Sequence, residues 1–154
     1  MRKSKSETER PEVRVLVIGD DEVVHKTIVA LIRISGVRVY AAHDQWEGLD
    51  LLADIRPDLI LCDLQPRFAG ISFVKWLRQM PPYRRTLTAA ITDGWQLSER
   101  ASREAGFDEY LVKPITRERL AQVLEHVLTA RRSAPAATRP PRFLGSSDEV
   151  SSAE

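Results

Sequence analysis

Cysteine is nearly absent from this sequence of 154 residues, and its scarcity limits the chemistry available. The one cysteine, Cys62, has no partner within the chain, so an internal disulfide is excluded. A chain without disulfides is compatible with a reducing compartment, and we expect a cytoplasmic location. Cys62 itself is expected to be a small, buried apolar side chain.

Long apolar runs and glycine-rich loops are also missing. No run approaches the roughly 18 residues of a membrane helix, and the opening MRKSKSETERPE contains no apolar signal-peptide region. Neither a GxGxxG nor a GK[ST] sequence occurs. The sequence therefore predicts no membrane association and no glycine-rich phosphate loop.

No charge of one sign dominates, because the formal net charge is only +1. The basic excess lies at the two ends of the chain, and the segment between them is slightly acidic. A slightly acidic body argues against direct nucleic-acid binding.

What the sequence does contain is one domain of ordinary composition, 43% hydrophobic and 29% charged. We expect disordered tails at residues 1–11 and at the Ser/Ala/Pro-rich residues 132–154, with the folded domain at 12–131. Phe143-Leu144 is an apolar pair within the second tail. It is either a docking peptide or incidental.

Strand-like and helix-like stretches alternate five times between these tails. The predicted strands are 13–18, 37–41, 58–63, 86–91 and 109–112, and the predicted helices are 22–35, 44–55, 70–80, 96–105 and 116–131. We expect Gly36 to end the first helix, and Trp46 to share the apolar face of the second helix with Leu49, Leu52 and Ala53. This order predicts an α/β fold of the (βα)₅ type, with a doubly wound, parallel five-stranded sheet.

Polar side chains stand where the predicted strands end. Asp20 and Asp21 follow the first strand, Asp63 ends the third, Thr92 follows the fourth and Lys113 follows the fifth. The carboxyl ends of parallel strands meet at one edge of a sheet, so these side chains should converge.

Such a cluster predicts phosphoryl chemistry. Three neighbouring carboxylates repel one another unless a cation joins them, and oxygen ligands suit Mg²⁺. A lysine and a hydroxyl group can hold phosphoryl oxygens. We therefore expect a site in which Asp63 is the nucleophile that accepts a phosphoryl group.

In these motifs the sequence resembles the receiver domain of two-component response regulators, as a stand-alone domain. The matching stretches are VLVIGDDE, DLILCDL, AAITD and AGFDEYLVKP. The resemblance implies a flavodoxin-like fold and phosphorylation of Asp63 by a histidine kinase or a histidine phosphotransfer protein. It also implies signalling through the face formed by helix four, strand five and helix five.

Further roles are implied by the same resemblance. Mg²⁺ would be held by Asp20, Asp21, Asp63 and the backbone carbonyl of Gln65, while Thr92 and Lys113 would contact the phosphoryl group. Tyr110 occupies the position of the family's aromatic switch, with Thr92 as its partner. The Lys113–Pro114 peptide bond is cis in that family.

Two departures from the family pattern are visible. Pro66 and Gly70 follow Asp63 by three and seven residues, whereas the family usually has four and eight. The loop after Asp63 is thus one residue shorter. In addition, Asp93 follows the switch threonine where a small residue is common.

Two other functions remain open at this stage. One is a pseudo-receiver, a protein-interaction module that works without phosphorylation. The other is a metal-dependent phosphatase with an aspartyl nucleophile, although Gln65 stands where such enzymes carry a second aspartate. Receiver chemistry is favoured, so we expect a phosphoacceptor and not an enzyme.

The three tryptophans carry separate expectations. Trp46 and Trp76 are predicted at the edge of the core. Trp95 falls in the loop before the fourth helix, where exposure would indicate a partner surface.

Overall fold

Five strands alternate with five helices along the chain, as the sequence predicts. The computed structural model describes residues 12–32, 36–64, 70–95 and 97–133. The strands are β1 (Val13–Ile18), β2 (Val37–Ala42), β3 (Leu59–Asp63), β4 (Leu87–Thr92) and β5 (Glu109–Val112). The helices are α1 (Glu22–Leu31), α2 (Gln45–Ile55), α3 (Gly70–Gln79), α4 (Glu99–Ala105) and α5 (Arg117–Ser133), with one 3₁₀ turn at Pro81–Tyr83.

The strands form one parallel sheet in the order β2-β1-β3-β4-β5. Alternate residues of each strand point to opposite faces, and both faces are covered. Val15 and Val17 belong to the layer that includes α1 and α5, whereas Leu16 and Ile18 belong to the layer that includes α2 and α3. The predicted flavodoxin-like, doubly wound fold is therefore confirmed.

β3 lies at the centre of the sheet, and each of its five residues is buried. This explains its unbroken apolar run. A parallel strand that is covered on both faces has no solvent-exposed positions, so polar residues do not alternate with apolar ones along it. Cys62 is fully buried within it, and burial raises the pKa of its thiol above the ordinary value. The expectation of a buried apolar cysteine is confirmed.

The N-termini of the helices are fixed by short polar side chains. The Asp21 side chain accepts hydrogen bonds from the first amides of α1, and the Asp44 side chain accepts one from the Glu47 amide of α2. In the same way, the Ser98 hydroxyl accepts a hydrogen bond from the Ala101 amide, and the Thr116 hydroxyl accepts one from the Arg119 amide. Each caps amide groups that have no partner within the helix. Since Ser98 is the cap, α4 starts at Glu99 and not at residue 96 as predicted.

Two helical expectations are wrong. α1 ends at Leu31 with its cap at Ile32, so Gly36 does not end it. Trp46 does not face the core, because its side chain is 68% exposed. α2 instead packs through Gly48, where an added Cβ would come within 2.7 Å of Ile18 Cδ1.

A side-chain clamp holds the amino-terminal edge of the sheet near β4 and β5. The Arg78 guanidinium donates to the carbonyls of Gly106 (3.0 Å) and Thr86 (2.7 Å), and to the Asp108 carboxylate (2.7 Å). Asp108 also accepts from the backbone amide of Thr88 at 2.9 Å. One arginine of α3 thus ties together the segments that enter β4 and β5.

No helix among residues 12–32, 36–64, 70–95 and 97–133 is both long enough and apolar enough to cross a membrane.

Replacing Arg78 by methionine should lower the free energy of unfolding by about 2–3 kcal/mol, because several partly buried acceptors lose a charged donor. Urea denaturation followed by circular dichroism measures the change. Arg100→Met is the matched control, since the Arg100 side chain is 90% exposed and pairs only across the helix surface. It should change stability by less than about 0.5 kcal/mol. Equal costs for the two variants would contradict the clamp.

Candidate functional site

Three of the predicted site residues lie at neighbouring strand ends on the carboxyl edge of the sheet: Asp63, Thr92 and Lys113. Asp63 is the last residue of β3 and pairs with Ile91 of β4, one residue before Thr92. Thr92 pairs with Val112 of β5, and Lys113 follows directly. The pairing of the strands therefore places the Asp63 carboxylate, the Thr92 hydroxyl and the Lys113 amine at neighbouring positions. This agrees with the expectation from the predicted strand ends.

Asp63 has no solvent exposure in this structure. Its Oδ1 lies 3.0 Å from Lys113 Nζ, and the Lys113 side chain is 20% exposed. Desolvating a carboxylate is costly, and a nearby ammonium group offsets the cost. The pair thus holds a negatively charged nucleophile at the strand end, with its cation at the edge of the solvent.

Gly19, at the end of β1, lies against the other side of Asp63. A Cβ added to Gly19 would lie 2.8 Å from Asp63 Cβ, closer than real Cβ atoms approach. Glycine is therefore required by this close contact. The only sequence signal for it is the position before Asp20-Asp21.

Thr92 is fully buried at the end of β4. Its Oγ1 accepts a hydrogen bond from the Gly94 amide at 3.1 Å, and its carbonyl accepts from the Lys113 amide at 2.9 Å. The hydroxyl proton is not used in the first of these bonds, because the oxygen is the acceptor. Thr92 can therefore still donate to an oxygen brought to this edge.

The two aspartates after β1 differ from each other. Asp20 is exposed, whereas the Asp21 carboxylate accepts from the amides of Val23 (2.9 Å) and Val24 (3.4 Å). Asp21 therefore caps α1, a role that the motif alone does not reveal.

The candidate ligands fit Mg²⁺ by their chemistry. The candidate side chains supply carboxylate oxygens, which this hard cation prefers, and Mg²⁺ commonly needs only one or two carboxylates beside water and phosphate. Across the described part of the chain, no group of three His, Cys, Asp or Glu side chains is close enough to form a metal cluster. The fit therefore rests on the chemistry of the oxygens at this edge. Gln65, the fourth predicted ligand, and Pro66 in the short loop lie outside the described residues.

Tyr110, the predicted switch residue, is partly buried on β5. Its hydroxyl donates to the Leu97 carbonyl at 2.5 Å, in the segment that leads into α4. The Arg119 guanidinium of α5 donates to the Tyr110 carbonyl at 3.1 Å. Tyr110 thus links the segment before α4 to β5 and α5, within the region of the predicted partner face.

The segment after Thr92 reaches the surface. Asp93 is exposed, and so is Trp95, with 79% of its side chain accessible. Trp76 is 38% exposed and stacks on Phe73, in keeping with its predicted place at the core edge. The Lys113–Pro114 bond is cis, as the resemblance implies.

Comparisons with known proteins agree with this geometry. A family model described as the response regulator receiver domain matches residues 15–125. Response regulators MprA of Mycobacterium bovis and Mycobacterium tuberculosis are 35% identical over 125 residues, covering 80% of this chain and 53% of the relative. The chain spans about half the length of the curated relatives it matches.

Solved structures with this fold include the chemotaxis response regulator CheY4 of Vibrio cholerae, with a TM-score of 0.65 and 26% identity, covering 75% of this chain and 98% of that one. The receiver domain of a sensor histidine kinase from Pseudomonas aeruginosa has a TM-score of 0.67 and 28% identity, covering 77% of this chain and 98% of that one. That structure is described with a magnesium ion coordinated in its active site cleft.

Replacing Lys113 by methionine should lower the free energy of unfolding by about 1–3 kcal/mol, because the buried Asp63 carboxylate loses its cation. In an Asp63→Asn background the same change should cost much less, since no charge remains to be compensated. Denaturant titration of the four proteins of this double-mutant cycle measures the coupling. Lys75→Met, at an exposed lysine of α3, is the control. An equal cost of Lys113→Met in both backgrounds would show that the ion pair contributes nothing.

Proposed function

This chain belongs to the response regulator receiver domain family, and from that membership we propose that it accepts a phosphoryl group on Asp63 within a two-component phosphorelay. The donor is a histidine kinase or a histidine phosphotransfer protein. A carboxylate oxygen of Asp63 forms a new bond to phosphorus while the bond from phosphorus to the donor imidazole breaks, so the phosphoryl group moves without an oxidant or reductant. The chain has no separate substrate to turn over, and hydrolysis of its own acyl phosphate resets it.

One observation carries this proposal: the buried Asp63 carboxylate lies 3.0 Å from Lys113 Nζ at the end of the central strand. Burial removes the water that would otherwise solvate the nucleophile. The ammonium group remains beside the phosphoryl oxygens as negative charge accumulates there. A carboxylate placed only for structure would need the cation, but it would not need to lie at the edge where ligands of open α/β sheets bind.

Thr92 and Lys113 hold the incoming group in this proposal. The Thr92 hydroxyl donates to one phosphoryl oxygen, and Lys113 provides a point charge to another. In support of this, Thr92 ends β4 and Lys113 directly follows β5, and both strands lie on the same side of β3.

The proposed metal set is Asp20, Asp21, Asp63 and the Gln65 carbonyl, with Mg²⁺ as the ion. The three described carboxylates do not form a close group in this structure, so the ion would have to draw them together. When bound, Mg²⁺ neutralises charge shared by the carboxylates and the phosphoryl group. Asp20 is exposed at this edge, and Asp21 also caps α1. Substituting Asp21 can therefore affect both the affinity for Mg²⁺ and the stability of α1.

Phosphorylation changes partner binding through the face built from α4, β5 and α5. Thr92 shifts toward the phosphoryl group, which disturbs the Gly94 amide that now donates to its hydroxyl. Gly94 lies in the same loop as Leu97, whose carbonyl accepts from Tyr110. Tyr110 and the start of α4 then change together, as a shift between two populated states.

Treating the protein with acetyl phosphate and Mg²⁺ should add one phosphoryl group, measured by intact mass spectrometry. Asp63→Asn should abolish the adduct, because the nucleophile is lost. Asp54→Asn, at an exposed aspartate of α2, should leave it unchanged. An adduct that persists in Asp63→Asn would overturn the assignment, and no adduct in the unmodified protein would favour the pseudo-receiver.

Asp21→Asn should weaken Mg²⁺ binding while leaving stability nearly unchanged. Asparagine caps a helix about as well as aspartate, so α1 keeps its cap. Losing one unit charge near a cation costs roughly 1–4 kcal/mol, and affinity should fall about tenfold or more. Titration calorimetry measures the affinity.

The control for this experiment is Asp44→Asn, which changes the aspartate that caps α2. Asp44 is outside the proposed metal set, so its substitution should not alter Mg²⁺ affinity. Unchanged affinity in Asp21→Asn would remove that residue from the metal set.

A further inference from the structure

Two histidines from different elements lie side by side near the carboxyl edge of the sheet. His25 belongs to the first turn of α1, and its amide donates to the Asp21 carbonyl at 3.2 Å. His43 directly follows β2. The centres of the two rings are 6.3 Å apart, and the ring planes are inclined by 53°. Neither side chain belongs to the proposed phosphoacceptor site.

The pairing of β1 with β2 explains why the two rings meet. Ile18 at the end of β1 pairs with Ala42 at the end of β2, and the next amide, that of Gly19, donates to the Ala42 carbonyl at 2.9 Å. The chain then begins α1 at Glu22. The first turn of α1 and His43 are therefore neighbours at the same edge, although they are far apart in the sequence.

Glu47 determines which nitrogen of His43 is available. Its Oε2 lies 3.1 Å from His43 Nδ1 and accepts the His43 backbone amide at 2.8 Å. The backbone bond and then the ring bond hold the pKa of the Glu47 carboxyl below its ordinary value, so the group is ionised at neutral pH. An ionised carboxylate can only accept, so Nδ1 carries the proton. The lone pair of the neutral ring is then on Nε2, which can bind a metal.

His25 supplies a second nitrogen at this place. Its Nε2 is buried and makes no hydrogen bond to any residue in the described part of the chain. Buried polar atoms are normally satisfied, and leaving one without a partner costs free energy. A ligand that takes the lone pair of His25 Nε2 would remove this cost.

The spacing of the two rings suits one shared ion. A zinc–nitrogen bond is about 2.1 Å and the ring centre lies ~1.2 Å behind the nitrogen, so two ligating rings have centres about 5.4 Å apart at a tetrahedral angle and about 6.6 Å apart in line. The observed 6.3 Å falls within this range. No group of three His, Cys, Asp or Glu side chains among residues 12–32, 36–64, 70–95 and 97–133 could hold a metal, so water has to complete the coordination.

The nitrogen donors indicate which class of ion this pair selects. Imidazole suits Zn²⁺ and the neighbouring transition metals, whereas Mg²⁺ prefers oxygen ligands. The pair is therefore chemically distinct from the carboxylates at the phosphoacceptor site.

We propose that His25 and His43 bind one Zn²⁺ ion through their Nε2 atoms, with Glu47 orienting the His43 ring. The ion enters from the side of His43, whose side chain is 68% exposed and can turn toward it. With two protein ligands, the site binds less tightly than the zinc sites that have three or four. Bound there, the ion ties the first turn of α1 to the segment that follows β2.

The affinity is measured by calorimetric titration of the full chain, without a histidine tag, with Zn²⁺. Excess Mg²⁺ is present throughout, so sites made of oxygen ligands alone are in competition. Losing the hydrogen-bond partner of a ligating histidine typically costs about 10–100-fold in metal affinity, so Glu47→Ala should weaken Zn²⁺ binding about tenfold. His25→Gln and His43→Gln each remove a ligand, and each should weaken binding by at least as much.

Nitrogen NMR of the unmodified chain identifies the ligands without any substitution. Addition of Zn²⁺ should shift the Nε2 resonances of His25 and His43, because their lone pairs bind the ion. The resonances of His126, on α5, should stay in place, since its ring pairs with Glu109. This measurement does not depend on whether a variant folds.

His126→Gln is the matched control for the titration, because it removes a histidine outside the proposed pair. It should leave Zn²⁺ affinity unchanged. Asp21→Asn should also leave it unchanged, which separates this test from the proposed Mg²⁺ site. Unshifted Nε2 resonances, or Zn²⁺ affinity that survives both His25→Gln and His43→Gln, would overturn the proposal. Affinity lost in Asp21→Asn but kept in the histidine variants would place the ion among the carboxylates and would overturn it as well.

Discussion

A carboxylate without solvent access at the end of the central strand is the constraint on which the rest of the structure depends. Asp63 is fully buried, and an isolated buried charge would be strongly destabilising. Lys113 meets this need only because β4 and β5 lie in parallel register beyond β3. On the β1 side, Gly19 leaves room for the carboxylate by having no side chain. Sheet order, register and one glycine therefore all shape the surroundings of a single buried carboxylate.

The strands could be predicted from the sequence because a strand that is buried on both faces appears as a short, continuous run of apolar residues. β1 and β5 begin and end at the predicted residues, and β2, β3 and β4 differ by one residue at one or both ends. The convergence of Asp63, Thr92 and Lys113 follows from the same reasoning, since parallel strands bring their carboxyl ends to one edge. The second task of Asp21, as a helix cap, could not be predicted from its place in the motif. That task depends on where α1 begins in space.

The helices were less predictable, because the face that a helix buries depends on its neighbour. In α2 the large apolar Trp46 indicates an inward face, yet the contact with Ile18 is made by Gly48. A glycine adds nothing to a hydrophobic pattern, although it permits the closest approach. α4 similarly begins at its Ser98 cap, because a hydroxyl that accepts from the Ala101 amide decides the start better than polarity does.

The two edges of the sheet use their charges differently. Near the amino edge, ion pairs join separate elements, as in Arg78–Asp108, Arg131–Asp58 and Arg38–Glu12. Near the carboxyl edge, the pair that joins two strand ends within the described residues is Lys113–Asp63, and both members belong to the candidate site.

This asymmetry has a mechanical consequence. Because the amino edge is cross-linked by side chains, movement of the loops at the carboxyl edge does not need to propagate through the sheet. The hydrogen bond from the Tyr110 hydroxyl to the Leu97 carbonyl shares no residue with the Arg78 clamp, so breaking the one does not require opening the other. On the proposed function, a change in charge at Asp63 would therefore be expressed at α4 and β5, while the ion pairs of the opposite edge stay in place.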